Sequence, residues 1–312
     1  MNKIQIIADS ISPQGHRLIT AIATFPRYLL AEVNTHRMLS RNSASSRAIR
    51  FEKMVQSVME NPFIPFKWQK DHAGMQGTEY FTEQEIADLH LVEDHLVARD
   101  YAVEMAQRQN KKGVTKQLCN RYLEPFMYHT ALISGTELEN FFALRAQEAA
   151  EIHFQDLAYK WLDAMNESEP KQLRAGEWHI PFGDDMDIDA LSKHFDIFKE
   201  KQVDAMVKIA TVRAARISYA TPGSLMKHDY EADLKLHDRL ASSGHWSAFE
   251  HCAKVMTDAE YKTNFRKEIV APEYSGYMVD AEFGRCGNFR GFIQYRKMFT
   301  DENRSDSRLI KK

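Results

Sequence analysis

The sequence predicts an α+β fold in which helix outweighs strand. Two observations carry the prediction: short β-branched runs stand near the beginning of the chain, and several long stretches repeat their apolar residues with helical period. A third observation divides the chain. Residues 166–189, NESEPKQLRAGEWHIPFGDDMDID, are polar, carry two prolines and two glycines, and show no sustained period, so 166–200 reads as a linker between halves 1–165 and 201–312.

The elements follow in order. Ile4 to Ile7 and Leu18 to Thr24 read as strands, because branched side chains suit a pleated, half-buried surface. After Pro26, Arg27 to His36 reads as a helix leading into a basic run. Thr82 and Glu85 form a capping box ahead of Ile86, Leu89, Val92 and Leu96, a pattern that continues to about Gln109 and is broken at Asn110 to Gly113. Phe126 to Ile133 is apolar and fits a strand or a buried helix. One long helix is expected from Glu137 to about Met165, and others at Val203 to Ile217 and Tyr230 to Ala241, the last stopped by Ser242, Ser243 and Gly244. Phe249 to Met256 is read as a strand.

Composition sets the class. With 312 residues, 44% of them hydrophobic, the chain can bury a substantial core, and its net charge of -3 argues against wholesale nucleic-acid binding. No apolar stretch approaches the length of a bilayer span, and MNKIQIIADS lacks the apolar core of a signal peptide, so a cytoplasmic location without a membrane partner is expected. Cys119, Cys252 and Cys286 have no paired spacing, which argues against a disulfide framework or a zinc site.

Against that mildly acidic background, Thr35 to Arg50 is unusual. The run THRMLSRNSASSRAIR places Arg37, Arg41, Arg47 and Arg50 among Ser40, Asn42, Ser43, Ser45 and Ser46 without one acid. Guanidinium forks and short hydroxyl or amide donors match phosphate oxygens; a solvated basic loop is the structural alternative. Arg145 would fall on the apolar face of a helix with Leu138, Phe141, Phe142, Ala149 and Ile152, where it needs a partner, either Glu148 or a ligand. Arg121 poses the same question, with Glu124 nearby. His245 and His251 flank Glu250 in SSGHWSAFEH, but their spacing suits a substrate-binding role better than a metal, and no metal is expected. No glycine-rich phosphate loop precedes a helix.

These pieces together resemble the flavin-dependent thymidylate synthases. The family signature is Arg-His-Arg, seven residues, then Ser; here Thr35, His36 and Arg37 are followed by seven residues and Ser45, with Asn42 and Arg47 in the expected places. AARISY at 214–219, GHWSAFEH at 244–251 and NFFALR at 140–145 match three further family blocks. The first two stand after the Arg-His-Arg block rather than before it, so the chain resembles a circularly permuted member. The resemblance implies one interlocked α+β domain, an antiparallel sheet flanked by helices, which a permutation leaves intact where the former termini lie close together. NFRGFIQYRK at 288–297 resembles the stretch that leads into the family's Arg-His-Arg, as a leftover copy would.

The implied reaction is reductive methylation of dUMP to dTMP, with methylenetetrahydrofolate as carbon donor and NADPH reducing bound FAD, in a homotetramer whose sites combine several chains. Transferred residue by residue, Ser45 and Arg47 would grip the nucleotide phosphate, with Arg121 and Arg145 also on the nucleotide. His36, Arg37, Asn140 and Ser218 would hold the flavin, and His245 the folate or flavin region, with Arg145 and His245 nearest the chemistry. No cysteine nucleophile is involved. Thr35 replaces an arginine, Ser43 stands where glutamate is frequent, and Ala149 where a histidine often follows, departures that Arg290 or Arg296 could offset. They leave open a related modification, hydroxymethylation of dUMP or a change to dCMP, or a non-catalytic nucleotide-binding relative.

Overall fold

The computed structural model describes residues 1–74, 77–195, 199–219, 229–264, 287–299 and 302. Strands β1 (Lys3–Ile11) and β2 (Arg17–Pro26) form a hairpin whose turn holds Gly15 at φ +84°, a conformation that glycine adopts without steric cost. After a 3-10 turn, Arg27–Leu29, come α1 (Leu30–Val33) and β3 (Ser40–Ser43). Next are α2 (Phe51–Glu60), α3 (Glu83–Asp88), α4 (Leu91–Lys111), α5 (Lys116–Cys119) and β4 (Tyr128–Gly135). Helices α6 (Glu139–Arg145) and α7 (Ile152–Glu167), strands β5 (Lys171–Gln172) and β6 (Trp178–His179), and helices α8 (Ile188–Phe195), α9 (Lys199–Arg216) and α10 (Tyr230–Ser242) follow. β7 (Ala253–Val255), α11 (Asp258–Asn264) and β8 (Phe292–Gln294) complete the described elements.

The main sheet has the order β3-β4-β2-β1-β5. Its first three pairings are antiparallel, as expected, but β5 joins β1 in parallel, which makes the sheet mixed. A parallel neighbour requires a long crossover, and the whole first half of the chain supplies it. Alternation along β2 and β4 divides the core. Ile19, Ala21, Ala23, Phe25, Ala131 and Ile133 face one way, against Phe141, Phe154, Leu157 and Trp161 of α6 and α7. Ile22 and Leu132 face the other way, where Val207, Ile209, Ala210 and Ala214 of α9 close the opposite layer with Phe249. The two halves thus cover opposite faces of one sheet. Full burial of an apolar side chain such as Phe154 stabilises by about 1.5–3 kcal/mol, so neither cover can be removed cheaply.

Several expectations need correction. The helix expected from Arg27 to His36 amounts to the 3-10 turn and the four residues of α1. The helix expected from Glu137 to Met165 is two, because the backbone leaves helical geometry at Ala146 and Glu151 caps α7, accepting from the N–H groups of His153 and Phe154 at 2.9 Å each. The Thr82–Glu85 capping box is present, but its helix ends at Asp88, and His90 at φ +52° separates it from α4. Phe126 to Ile133 resolves as strand β4; of Phe249 to Met256, only Ala253–Val255 is strand. The polar 166–189 stretch joins the halves and is itself folded, giving β5 to the main sheet and β6 to the second sheet, β6-β7-β8, with Leu173, Phe182 and Met186 buried. Among the described residues, no helix is long and apolar enough to cross a membrane.

Candidate functional site

The basic run passes along the edge of the main sheet as strand β3. Strand β3 pairs with β4 from Ser40 opposite Ser134 to Ser43 opposite Ala131, and this fixes which side chains of the run point inward. Asn42 is buried; its Nδ2 donates to the carbonyl of Ala214 on α9, and its Oδ1 accepts from Ser247 Oγ at 3.1 Å. Beyond the strand, the Ser45 N–H donates to the Ser218 carbonyl at 3.0 Å, and Ser45 Oγ accepts the Arg47 N–H at 3.3 Å. One amide therefore ties the basic run to both the AARISY and GHWSAFEH blocks.

The fourth block meets the run at His36. Arg145 Nε donates to His36 Nε2 at 3.1 Å, Nη1 pairs with Glu32 Oε2 at 2.8 Å, and the guanidinium lies 4.6 Å above the Phe154 ring. The partner of Arg145 is thus Glu32 rather than Glu148, because α6 ends at Arg145 and leaves Glu148 exposed on the segment between helices. Burial first, then the neighbouring Arg145 and Arg41 charges, push the His36 pKa down to about 4. His36 is therefore a neutral acceptor near pH 7. Glu124, offered as a partner for Arg121, pairs instead with Arg27 at 3.3 Å, and Arg121 is exposed.

Arg41 donates to the carbonyls of Val33 at 3.2 Å and His36 at 2.8 Å, and its side chain reaches a cleft of about 390 Å3. Arg37, Ser247, Glu250, Asn288, Gln294, Arg296 and Lys297 also line it. The cleft thus combines the basic run, the GHWSAFEH block and the 288–297 segment. Of the sequence-predicted residues, Arg37 lines this cleft, while Arg47, Arg121, Asn140 and His245 are exposed. His245 shares a 2.8 Å hydrogen bond with Ser243 Oγ, His251 is fully buried, and Glu250 pairs with Arg296, so the three residues of the histidine block serve separate partners.

Arg41 stood in the basic run, and Gln294 and Lys297 in the 288–297 stretch, without a role of their own; sequence reasoning missed a buried polar chain altogether. His179 joins Ser10 Oγ and Thr20 Oγ1 at 2.9 Å each, Thr20 joins Ser134 Oγ at 2.6 Å, and Ser134 joins His251 Nδ1 at 2.8 Å. Burial depresses both histidines to about 3, so the chain is neutral and ties the second sheet to the first. No local signal marks it, since its members come from four distant strands and a turn. Cys119 and Cys252 are buried free thiols, burial pushing Cys252 up to about 12; Cys286 lies outside the described residues.

No protein-family model matches the chain, and no curated protein matches it. Among solved structures, it is similar to the UMP/dUMP methylase PolB from Streptomyces cacaoi. The form bound with 5-Br UMP aligns at 15% identity over 54% of this chain and 89% of that one, with a TM-score of 0.45. The form bound with 5-Br dUMP aligns at 14% identity over 54% and 90%, with a TM-score of 0.42. The likeness is distant.

Proposed function

We propose that the chain is a nucleotide-modifying enzyme that reductively methylates dUMP to dTMP, taking the carbon from methylenetetrahydrofolate and electrons from NADPH through FAD. The observation that carries this reading is convergence. Four motif blocks, spread from His36 to His251, meet through the Asn42–Ala214, Ser45–Ser218, Ser247–Asn42 and Arg145–His36 contacts. A solvated basic loop has no need of such contacts.

In this reading Ser45 and Arg47 bind the nucleotide phosphate as hydrogen-bond donors, and Arg121 and Arg145 hold the nucleotide. Arg145 also fixes the His36 imidazole beside the flavin-binding Arg37 through its 3.1 Å Nε hydrogen bond. Ser218 holds the Ser45 loop through its carbonyl. Arg37 on a cationic cleft fits a phosphorylated cofactor, although Leu39 is the only large apolar side chain among the described lining residues, and one chain gives a flat ring little apolar wall. FAD, when bound, supplies the redox chemistry; the protein supplies binding, orientation and water exclusion. The exposure of Arg47, Arg121, Asn140 and His245 suits a site completed by other copies of the chain in a homotetramer.

One observation favours a sister reaction. Thr35, where the family has arginine, turns its Oγ1 to the Glu32 carbonyl at 2.6 Å and gives the flavin no cation. Product analysis with dUMP and dCMP side by side, each with methylenetetrahydrofolate, FAD and NADPH, tests the proposal: dTMP from dUMP supports it. A hydroxymethyl product, or turnover of dCMP alone, selects the sister reaction, and a protein that stays colourless with FAD and converts neither nucleotide is a binding module.

A further inference from the structure

The block GHWSAFEH begins at a helix stop, and that stop fixes its first histidine. Helix α10 closes with two main-chain bonds: the His245 N–H donates to the Leu240 carbonyl at 3.0 Å, and the Gly244 N–H to the Ala241 carbonyl at 3.2 Å. This paired closure needs a left-handed residue between helix and exit, and Gly244 supplies it at φ +70°. On the other side, Ser247 Oγ donates to Asn42 Oδ1 at 3.1 Å, and the Trp246 ring packs on Phe249 at 5.3 Å and Phe299 at 5.2 Å. The His245 backbone is thus held from both directions while the residue itself is exposed.

Its side chain is held by Ser243. Ser243 Oγ lies 2.6 Å from the Arg239 carbonyl oxygen, 3.2 Å from that of Leu240 and 2.8 Å from His245 Nδ1. A hydroxyl has one proton to give, and a carbonyl oxygen can only accept. Two oxygens 2.6 Å apart with no proton between them would repel, so the Ser243 proton goes to Arg239. The contact with His245 is then made by the ring, Nδ1–H donating to Ser243 Oγ. A neutral imidazole with its proton on Nδ1 keeps a lone pair on Nε2, which has no hydrogen-bond partner among the described residues.

We propose that Ser243 is a positioning residue: it sets His245 in the Nδ1–H tautomer, so that Nε2 meets the bound ligand as a hydrogen-bond acceptor. This rests on the reading under which His245 meets the folate or flavin. A neutral imidazole fixed in this way takes an N–H or O–H group of the ligand and has no proton on Nε2 to give to a carbonyl or phosphate oxygen. The chemistry it selects is therefore a ring N–H or a hydroxyl, and the selection is made at the end of α10. The neighbouring Ser242 donates to the same Arg239 carbonyl at 3.1 Å without bonding to His245, so it separates a role in the helix end from a role in the histidine.

The test is long-range 1H–15N correlation NMR on the full chain without ligand, under conditions in which the ring is neutral, with His245→Gln identifying the His245 resonances. Nδ1 should show the shift of a protonated ring nitrogen and Nε2 that of an unprotonated one. Ser243→Ala, confirmed as folded by a thermal melt, should lose this preference, Ser243→Thr should keep it because the hydroxyl remains, and Ser242→Ala should leave it unchanged. In turnover of dUMP, Ser243→Ala should lower the maximal rate by about two- to tenfold, as for one lost hydrogen bond, without moving the KM for dUMP, and Ser243→Thr should restore it. A His245 protonated on Nε2 in the parent chain, a tautomer unmoved by Ser243→Ala, an equal change in Ser242→Ala, or a full rate despite a changed tautomer would overturn the proposal. The Nδ1–H tautomer present as expected in a chain that makes no dTMP would count against the methylation reading alone.

Discussion

Ser45 and Arg47 are read as donors to phosphate, and their variants should behave accordingly. In Ser45→Ala, much of the rate should return at high nucleotide concentration, because a lost hydrogen bond weakens binding without removing a nucleophile. Arg47→Ala should follow the same pattern more severely, by about 1.5–3 kcal/mol for a charged hydrogen bond. A rate that no nucleotide concentration restores in Ser45→Ala would contradict this role. Arg145→Ala should raise the His36 pKa from about 4 toward its ordinary value, since one of the two cations opposing protonation is gone while burial remains. Histidine resonances followed by NMR against pH check this, and an unmoved His36 would show that Arg145 does not tune it. With Cys252 pushed up to about 12, no thiolate forms at neutral pH, and Cys119, Cys252 and Cys286 replaced together should keep turnover within about tenfold. A nucleotide adduct on any one of them would refute that. The oddness of Arg145 was visible in its own helix stripe, but its partner was not, because Glu32 is brought to it by tertiary packing alone.

At the scale of elements, local chemistry was legible and its interruptions were not. The Thr82–Glu85 box, the β1–β2 strands, the C-terminal end of α9 and both ends of α10 follow from capping, branching and period, all written within a few residues, whereas α9 begins at Lys199, four residues before the expected Val203. The break between α6 and α7 escaped because its apolar stripe continues through it; the Glu151 carboxylate on two N–H groups decides the matter, and glutamate is an unusual N-cap. Polar composition made 166–189 look like a spacer, whereas β5 and β6 stitch it into both sheets through backbone bonds that polarity does not forbid. Limited proteolysis within 166–189 should therefore yield fragments that remain associated until denatured. Two independently folded pieces separating on simple dilution would contradict the interlocked arrangement. The second half of the cleft was legible only as a family echo at 288–297, since nothing local shows that Gln294 reaches Ser40.

At the scale of the molecule, one sheet is covered on opposite faces by opposite halves of the chain, which is how sequence blocks on both sides of residues 166–200 come into contact. The interior also sets a pH response. His129, His179 and His251 are held at about 3, each first by burial. The unfolded chain protonates these residues near the ordinary histidine value and the fold does not, so stability is full above that value and falls as pH drops through the window down to about 3. Each such group contributes about 1.4 kcal/mol per pH unit within that window. Urea unfolding should show a clearly lower midpoint at pH 5 than at pH 7, and an equal or higher midpoint would mean that these histidines are protonated in the folded state. The central claim, that the converged motifs build a flavin-dependent nucleotide site, is tested most directly in a single turnover. Protein reconstituted with FAD is bleached by NADPH, then mixed anaerobically with dUMP and methylenetetrahydrofolate while flavin absorbance and products are followed together. The account predicts flavin reoxidation that requires both substrates and one dTMP per flavin reoxidised; a protein that takes up no FAD, or a reduced flavin indifferent to the nucleotide, would contradict it.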